Sequence, residues 1–193
     1  MIIQEIKDSI LVKEKIIKSP VLLSLIEKVA KQCLNSLQSG GKIILAGNGG
    51  SFADAQHISA EFTSRYLFDR ESLASVCLGA NASSISAIAN DYGYENVFAR
   101  ELSSIGNKND IFIAISTSGN SKNIVEAINV SNKKGIKSFV LTGESGGVMN
   151  EMTECINVPS CVTGRIQESH IMIGHIICGI VEKEYFHETA EKY

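Results

Sequence analysis

Asp110-Ile111-Phe112-Ile113-Ala114-Ile115-Ser116-Thr117-Ser118-Gly119-Asn120-Ser121-Lys122-Asn123-Ile124-Val125 is the stretch that decides the fold. From Ile111 to Ile115 every position is apolar, with no alternation, which is the pattern of a strand covered on both faces in a parallel sheet. Hydroxyls and a glycine follow at once, and then a segment with helical spacing. Four more apolar or β-branched runs, Lys42 to Ala46, Ala74 to Leu78, Lys137 to Thr142 and Cys155 to Val158, are separated in the same way. Helical segments near 52–65, 95–105, 121–134 and 164–187 lie between and after them. Strands alternating with helices predict an α/β fold: a doubly wound, five-stranded, flavodoxin-like parallel sheet.

Ahead of the first strand, residues 2–18 and 20–39 carry apolar side chains at helical spacing, for example Leu22, Leu23, Ile26, Val29, Ala30, Cys33, Leu34 and Leu37. Pro20 suits the first turn of the second helix, and Gly40-Gly41 mark its end. With 193 residues, 44 % of them apolar, and no Ser/Gly/Pro-rich linker, the chain is expected to be one domain over 1–193. Within it, 1–40 are N-terminal helices and 41–187 the α/β core. The net charge of -3 is scattered without blocks, so no nucleic-acid partner is expected. No secretory signal opens the chain, and Ile171 to Val181, its most apolar stretch, is too short to span a bilayer. A cytoplasmic protein with no membrane partner is therefore expected. Its five cysteines are dispersed with no C-x-x-C pair, and reduced, mostly buried thiols follow.

In open sheets of this kind ligands bind beyond the carboxyl ends of the strands. Gly47-Asn48-Gly49-Gly50-Ser51 is one such loop, whose glycines let backbone amides approach an anion at a helix start. It is neither a dinucleotide fingerprint nor a P-loop, and a plain tight turn capped by Ser51 is an equal alternative. Ser116 to Ser121 offers four hydroxyls plus the free N–H groups of a helix start, enough to surround a phosphate without Lys or Arg. Capping alone needs just one hydroxyl. Asn90-Asp91-Tyr92-Gly93-Tyr94 reads as a turn whose Asn and Asp either meet sugar hydroxyls or cap the next helix.

Titratable groups come from two helices. His57 and Glu61 are four apart on one helical face, roughly 6 Å along the axis, a spacing that can share a metal ion or merely form an exposed pair. In Arg165-Ile166-Gln167-Glu168-Ser169-His170-Ile171-Met172-Ile173-Gly174-His175, the isoleucines around His175 predict that it is buried and needs partners. Gln167 is rotated by roughly 80° from His175, and His170 by roughly 140°, so His170 is expected to face elsewhere.

These landmarks, with Asp54-Ala55, Leu141-Thr142-Gly143 and the Arg165-Ile166-Gln167-Glu168 run, resemble the SIS-type phosphosugar isomerases that convert sedoheptulose 7-phosphate to D-glycero-D-manno-heptose 7-phosphate, the first step of nucleotide-activated heptose synthesis for lipopolysaccharide or capsule. The likeness runs from the first helices to about residue 186. It implies that Asn48, Gly49, Gly50, Ser51, Glu61, Asn90, Asp91, Ser116, Thr117, Ser118, Ser121 and Gln167 contact substrate, with Arg65 at the edge of the site. It further implies zinc held by His57, Glu61, Gln167 and His175, Glu61 and His175 as the acid/base pair, and a homotetramer assembled through the leading helices. Gly164 stands where some members carry Asp. A related, non-catalytic binder of the replication initiator shares the Ser-rich loop but lacks the equivalents of Glu61 and His175, and the presence of both here favours an enzyme.

Overall fold

The computed structural model describes residues 1–187; the last six residues of the expected 1–193 domain lie outside the described residues. The chain begins with helices α1 (Ile2–Ile17) and α2 (Pro20–Gln38) and continues β1 (Ile43–Gly47), α3 (Gly50–Thr63), β2 (Ser75–Cys77), α4 (Ala82–Tyr92), a short 3-10 turn, α5 (Val97–Ile105), β3 (Ile111–Ile115), α6 (Lys122–Lys134), β4 (Lys137–Thr142), β5 (Glu154–Asn157) and α7 (Thr163–Tyr185). All four strand pairings are parallel, in the order β2-β1-β3-β4-β5. That is the flavodoxin-like order, whose direction of winding reverses between β1 and β3.

Because side chains alternate along a strand, each strand feeds two cores. Ile43, Leu45, Ile111, Ile113, Ile115, Phe139, Leu141 and Ile156 point to the layer formed by α1, α2, α3 and α7. Ile44, Ala46, Phe112, Ala114 and Val140 point to α5 and α6, where Phe98, Leu102, Ile124 and Ile128 meet them. Pro20 occupies the first position of α2, and Ser19 caps it by accepting from Leu22 N.

Two expectations are corrected. The Asn90-Asp91 stretch is no turn: both residues sit in the last turn of α4, an eleven-residue helix that the sequence reading omitted. The segment Ala82–Tyr92 buries no side chain completely and is rich in Ser, Ala and Asn, so it offers only a faint apolar stripe to read. Cap residue Asn81, accepting from Ser83 N and Ser84 N, is the local signal that marks its start. Second, Ser51 does not cap α3. The cap position is Gly49, held at φ 55° where a side chain would be strained, and Ser51 is buried inside the first turn.

Of the cysteines, Cys33, Cys77 and Cys178 are buried, Cys155 is half-buried and Cys161 is exposed, all as free thiols. Burial pushes the Cys155 thiol up to about 11 and that of Cys77 up to about 12, so neither is a nucleophile near neutrality. No described helix is long and apolar enough to cross a membrane.

Candidate active site

Helices α3 and α7 pack along one another and bring the titratable groups together. Gly174 allows the approach: a Cβ there would collide with Ile58, while Cys178 Sγ lies over the Ile58 carbonyl. One residue along each helix, the Nε2 atoms of His57 and His175 stand 3.4 Å apart, and His57 Nε2 is 3.0 Å from Glu61 Oε1. The ligand atoms of His57, Glu61 and His175 all lie within 4.8 Å of one another. Glu61 and His175 thus converge within a single chain.

Two imidazole nitrogens and a carboxylate form a donor set that zinc accepts, and a tetrahedral ion with Zn–N bonds of roughly 2.0–2.1 Å would hold its two nitrogens about 3.3–3.4 Å apart, close to the spacing seen. The residues therefore fit such an ion. Gln167 lies one helical stretch back on α7, its Nε2 where a Cβ on Gly50 would come to 2.5 Å of it. Only a glycine at position 50 leaves that amide its place over the start of α3.

His175 is half-exposed, contrary to the expectation from its isoleucine neighbours. Its ring is stacked on that of Tyr66, with centroids 5.3 Å apart and planes 13° from parallel. A groove of about 580 Å³, walled by Tyr66, Leu67, Ile171, Met172 and Ile176, opens beside it. The buried histidine is His170 instead, which donates from Nε2 to the Thr142 carbonyl at 3.1 Å and has no partner for Nδ1 among the described residues. Burial pushes its pKa down to about 4, the hydrogen bond to Thr142 only partly opposing this. Asp54, one turn before His57, is half-buried, and burial raises its carboxyl above the usual range while the nearby His57 pulls it down.

The Ser-rich loop joins β3 to α6 at the carboxyl edge of the sheet. Ser116 is buried and its hydroxyl meets that of Ser121 at 3.1 Å; Ser121 occupies the cap position of α6 but makes no capping hydrogen bond. That hydroxyl pair is therefore not spent on capping the helix. Ser118 is exposed and Thr117 half-exposed. Gly119 takes φ 66° with the Gly146 carbonyl pressed against it, so a side chain has neither the conformation nor the room.

The glycine loop after β1 is fixed from outside itself. Asn48 and Asn123, the latter in the first turn of α6, exchange two amide hydrogen bonds of 2.9 and 2.8 Å, and the Tyr94 hydroxyl donates to Asn48 Oδ1 at 3.2 Å. These contacts draw the glycine loop, the start of α6 and the 90–94 segment to one place. Asn90 and Asp91 are exposed and hydrogen-bond each other at 2.8 Å. Arg65 is exposed just past α3, with no hydrogen bond or ion pair among the described residues. Asn123, Tyr94 and Tyr66 escaped the sequence reading, since an Asn in a helix and two Tyr in loops carry no pattern until their partners are known.

In the Arg165-Ile166-Gln167-Glu168 run the roles divide. Arg165 donates to the Glu5 carbonyl and Glu168 pairs with Lys13 at 3.3 Å, both tying α7 to α1, while Ile166 is buried.

The SIS-domain family model matches residues 13–143. Phosphoheptose isomerase 2 of Campylobacter jejuni is 56 % identical over 180 residues, covering 93 % of this chain and 90 % of the relative. Phosphoheptose isomerase of Aneurinibacillus thermoaerophilus is 54 % identical over 182 residues, 94 % of this chain and 92 % of its own. Among solved structures, phosphoheptose isomerase GmhA from Neisseria gonorrhoeae superposes with a TM-score of 0.88 at 36 % identity, covering 94 % of this chain and 97 % of that one. The chain belongs to the SIS-domain family, among the phosphoheptose isomerases.

Proposed function

We propose that this protein is an aldose-ketose isomerase converting sedoheptulose 7-phosphate to D-glycero-D-manno-heptose 7-phosphate. The observation that carries the reading is the convergence of Glu61 and His175 where α3 packs on α7, in a chain more than half identical to phosphoheptose isomerases. A binding module needs neither group.

Moving the carbonyl from C2 to C1 requires a proton to leave C1 and another to arrive at C2, through an enediolate. Glu61 takes the C1 proton and returns it to C2. His175 moves the hydroxyl proton from O1 to O2, and Tyr66 stacked on its ring limits the directions it can face. The Ser116, Thr117, Ser118 and Ser121 hydroxyls, with the start of α6, hold the phosphate, and neutral donors suffice because helix-end N–H groups add partial positive charge. Asn48, Gly49, Gly50, Ser51, Asn90, Asp91 and Gln167 hold the sugar between these ends, with Arg65 at the rim.

His57, Glu61 and His175, with Gln167, are the residues that would hold zinc, which when bound supplies Lewis-acid polarisation of the substrate oxygens. A carboxylate committed to a metal would be a weaker base, so Glu61 can act on carbon only while it is not held as a full metal ligand.

We assign residues 1–193 to one SIS unit working in the cytoplasm, whose residues 1–40 assemble a homotetramer. Supporting this, Ile2, Ile3, Ile6, Ile10 and Leu11 of α1 are each at least half exposed, an apolar face the single chain leaves uncovered. The product would supply lipopolysaccharide or capsule synthesis. Purified protein incubated with sedoheptulose 7-phosphate in deuterated water should yield the aldose with deuterium at C2 by NMR; absence of turnover with and without added zinc would reduce the protein to a phosphosugar-binding module.

A further inference from the structure

Arg70 and Glu182 form an ion pair that the chemistry above does not use. Their side chains are each about 1 % exposed, with Arg70 Nε 2.8 Å from Glu182 Oε1. Burying two charges costs several kcal/mol per ion unless every polar atom is satisfied, so a pair this dry is weak evidence for stability by itself. What its remaining bonds hold is more telling.

Arg70 Nη1 donates to the carbonyls of Phe62, Ser64 and Glu71, and Nη2 donates to the carbonyl of Glu61 at 2.7 Å. The guanidinium therefore takes up carbonyls at the carboxyl end of α3, where helices leave such groups without partners, and one belongs to the proposed base itself. Glu182 accepts from the backbone N–H of Tyr66 at 2.9 Å and of Leu67 at 2.6 Å. It lies two turns beyond His175 on α7, so these bonds pin the residue whose ring stacks on His175. Arg70 thus grips the end of the helix bearing Glu61, and Glu182 grips the segment bearing Tyr66.

We propose that the Arg70–Glu182 pair is a positioning device for the reaction, setting Glu61 through its backbone carbonyl and His175 through Tyr66. The proposal rests on the isomerase reading for its effect on rate, but not for its effect on geometry. Neither residue touches substrate. Small misplacements of a catalytic group, or loss of a partner that orients it, cost about 10- to 100-fold.

Arg70→Lys is the discriminating variant: it keeps the charge and can keep the pair with Glu182, but one ammonium cannot reach four carbonyls. Expected are a kcat lowered about 10- to 100-fold at a temperature well below unfolding and a KM within about twofold of the parent, since the phosphate loop is remote. The His175 ring proton resonances, displaced by the Tyr66 ring current in the parent, should move towards ordinary positions. Asp110→Asn serves as control. It breaks the Lys42–Asp110 pair beside the starts of β1 and β3, which bonds none of Glu61, Tyr66 and His175, and should lower the melting temperature with kcat unchanged. If Arg70→Lys does not fold, Glu182→Gln, which leaves one of the two backbone N–H groups without its acceptor, carries the same readouts. A folded variant with lowered stability, parental kcat and unmoved His175 resonances overturns the proposal. Should the parent protein itself lack isomerase activity, the His175 resonances alone decide, so failure of the isomerase reading and failure of the positioning device are told apart.

Discussion

The Nε2 atoms of His57 and His175 lie 3.4 Å apart, although 118 residues separate them in the chain. Two neutral imidazoles cannot aim lone pairs at each other at that distance without repulsion, so either one nitrogen carries a proton or a cation lies between. With Glu61 Oε1 beside them, the second arrangement is the one the proposed metal site would require. Metal-free protein titrated with zinc should bind one ion per chain, and His57→Ala should weaken binding by more than about 100-fold, beyond the cost of losing an outer partner. Isothermal titration with a competing chelator reads this. Equal affinity in the variant would remove His57 from the set.

The Ser116–Ser121 hydroxyl pair makes a second prediction. If those hydroxyls hold phosphate, Ser118→Ala with Ser121→Ala removes two hydrogen bonds to a charged group, each worth about 1.5–3 kcal/mol. KM for the phosphosugar should rise at least about tenfold even if only one bond is lost in full, with a modest fall in melting temperature because the buried Ser116 hydroxyl and the Asn120 N–H lose their partners. Parental KM would return the loop to a purely structural role.

His170 sets an acid limit on stability. Folding buries it neutral, with its pKa pushed from 6.5 down to about 4, whereas the unfolded chain takes up the proton below 6.5. The folded state therefore binds fewer protons in that window. Its stability is complete above about pH 6.5 and falls as pH drops from 6.5 to 4, by about 3 kcal/mol from this group. Urea unfolding of the parent and of His170→Gln, whose amide can still donate to the Thr142 carbonyl, should differ in slope across that window. Identical pH profiles would contradict the buried neutral imidazole.

Assembly is tested on α1. Ile3→Asp with Ile10→Asp places charge on its exposed apolar face, and light scattering should then report a smaller particle than the tetramer expected of the parent. A parent that is monomeric at micromolar concentration would contradict the assembly.

How far these features can be read in the sequence depends on how local their causes are. The sheet was legible because Ile111 to Ile115 and its counterparts are apolar at both faces, a signature carried by consecutive residues. His57 and Glu61 were legible because one helical turn fixes their relation. His175 was not: its isoleucine neighbours suggested burial, but Gly174 draws α7 onto Ile58 and turns His175 towards His57 and Tyr66, while His170 faces inward to Thr142. Nor could Asn48 announce its pairing with Asn123, a contact between a loop and a helix start that only the sheet order brings together. Helix α4 went unread because a half-covered helix of Ser, Ala and Asn has little apolar contrast.

The most direct test of the account is the rate of proton transfer from carbon after Glu61→Gln, which keeps size and hydrogen bonding but removes the basic carboxylate. With sedoheptulose 7-phosphate in deuterated water, the account predicts a kcat about 10² to 10⁴ lower, an unchanged fold and a similar KM. Undiminished deuterium incorporation at C2 by the Glu61→Gln variant would contradict it, leaving the proton to be moved by some other group.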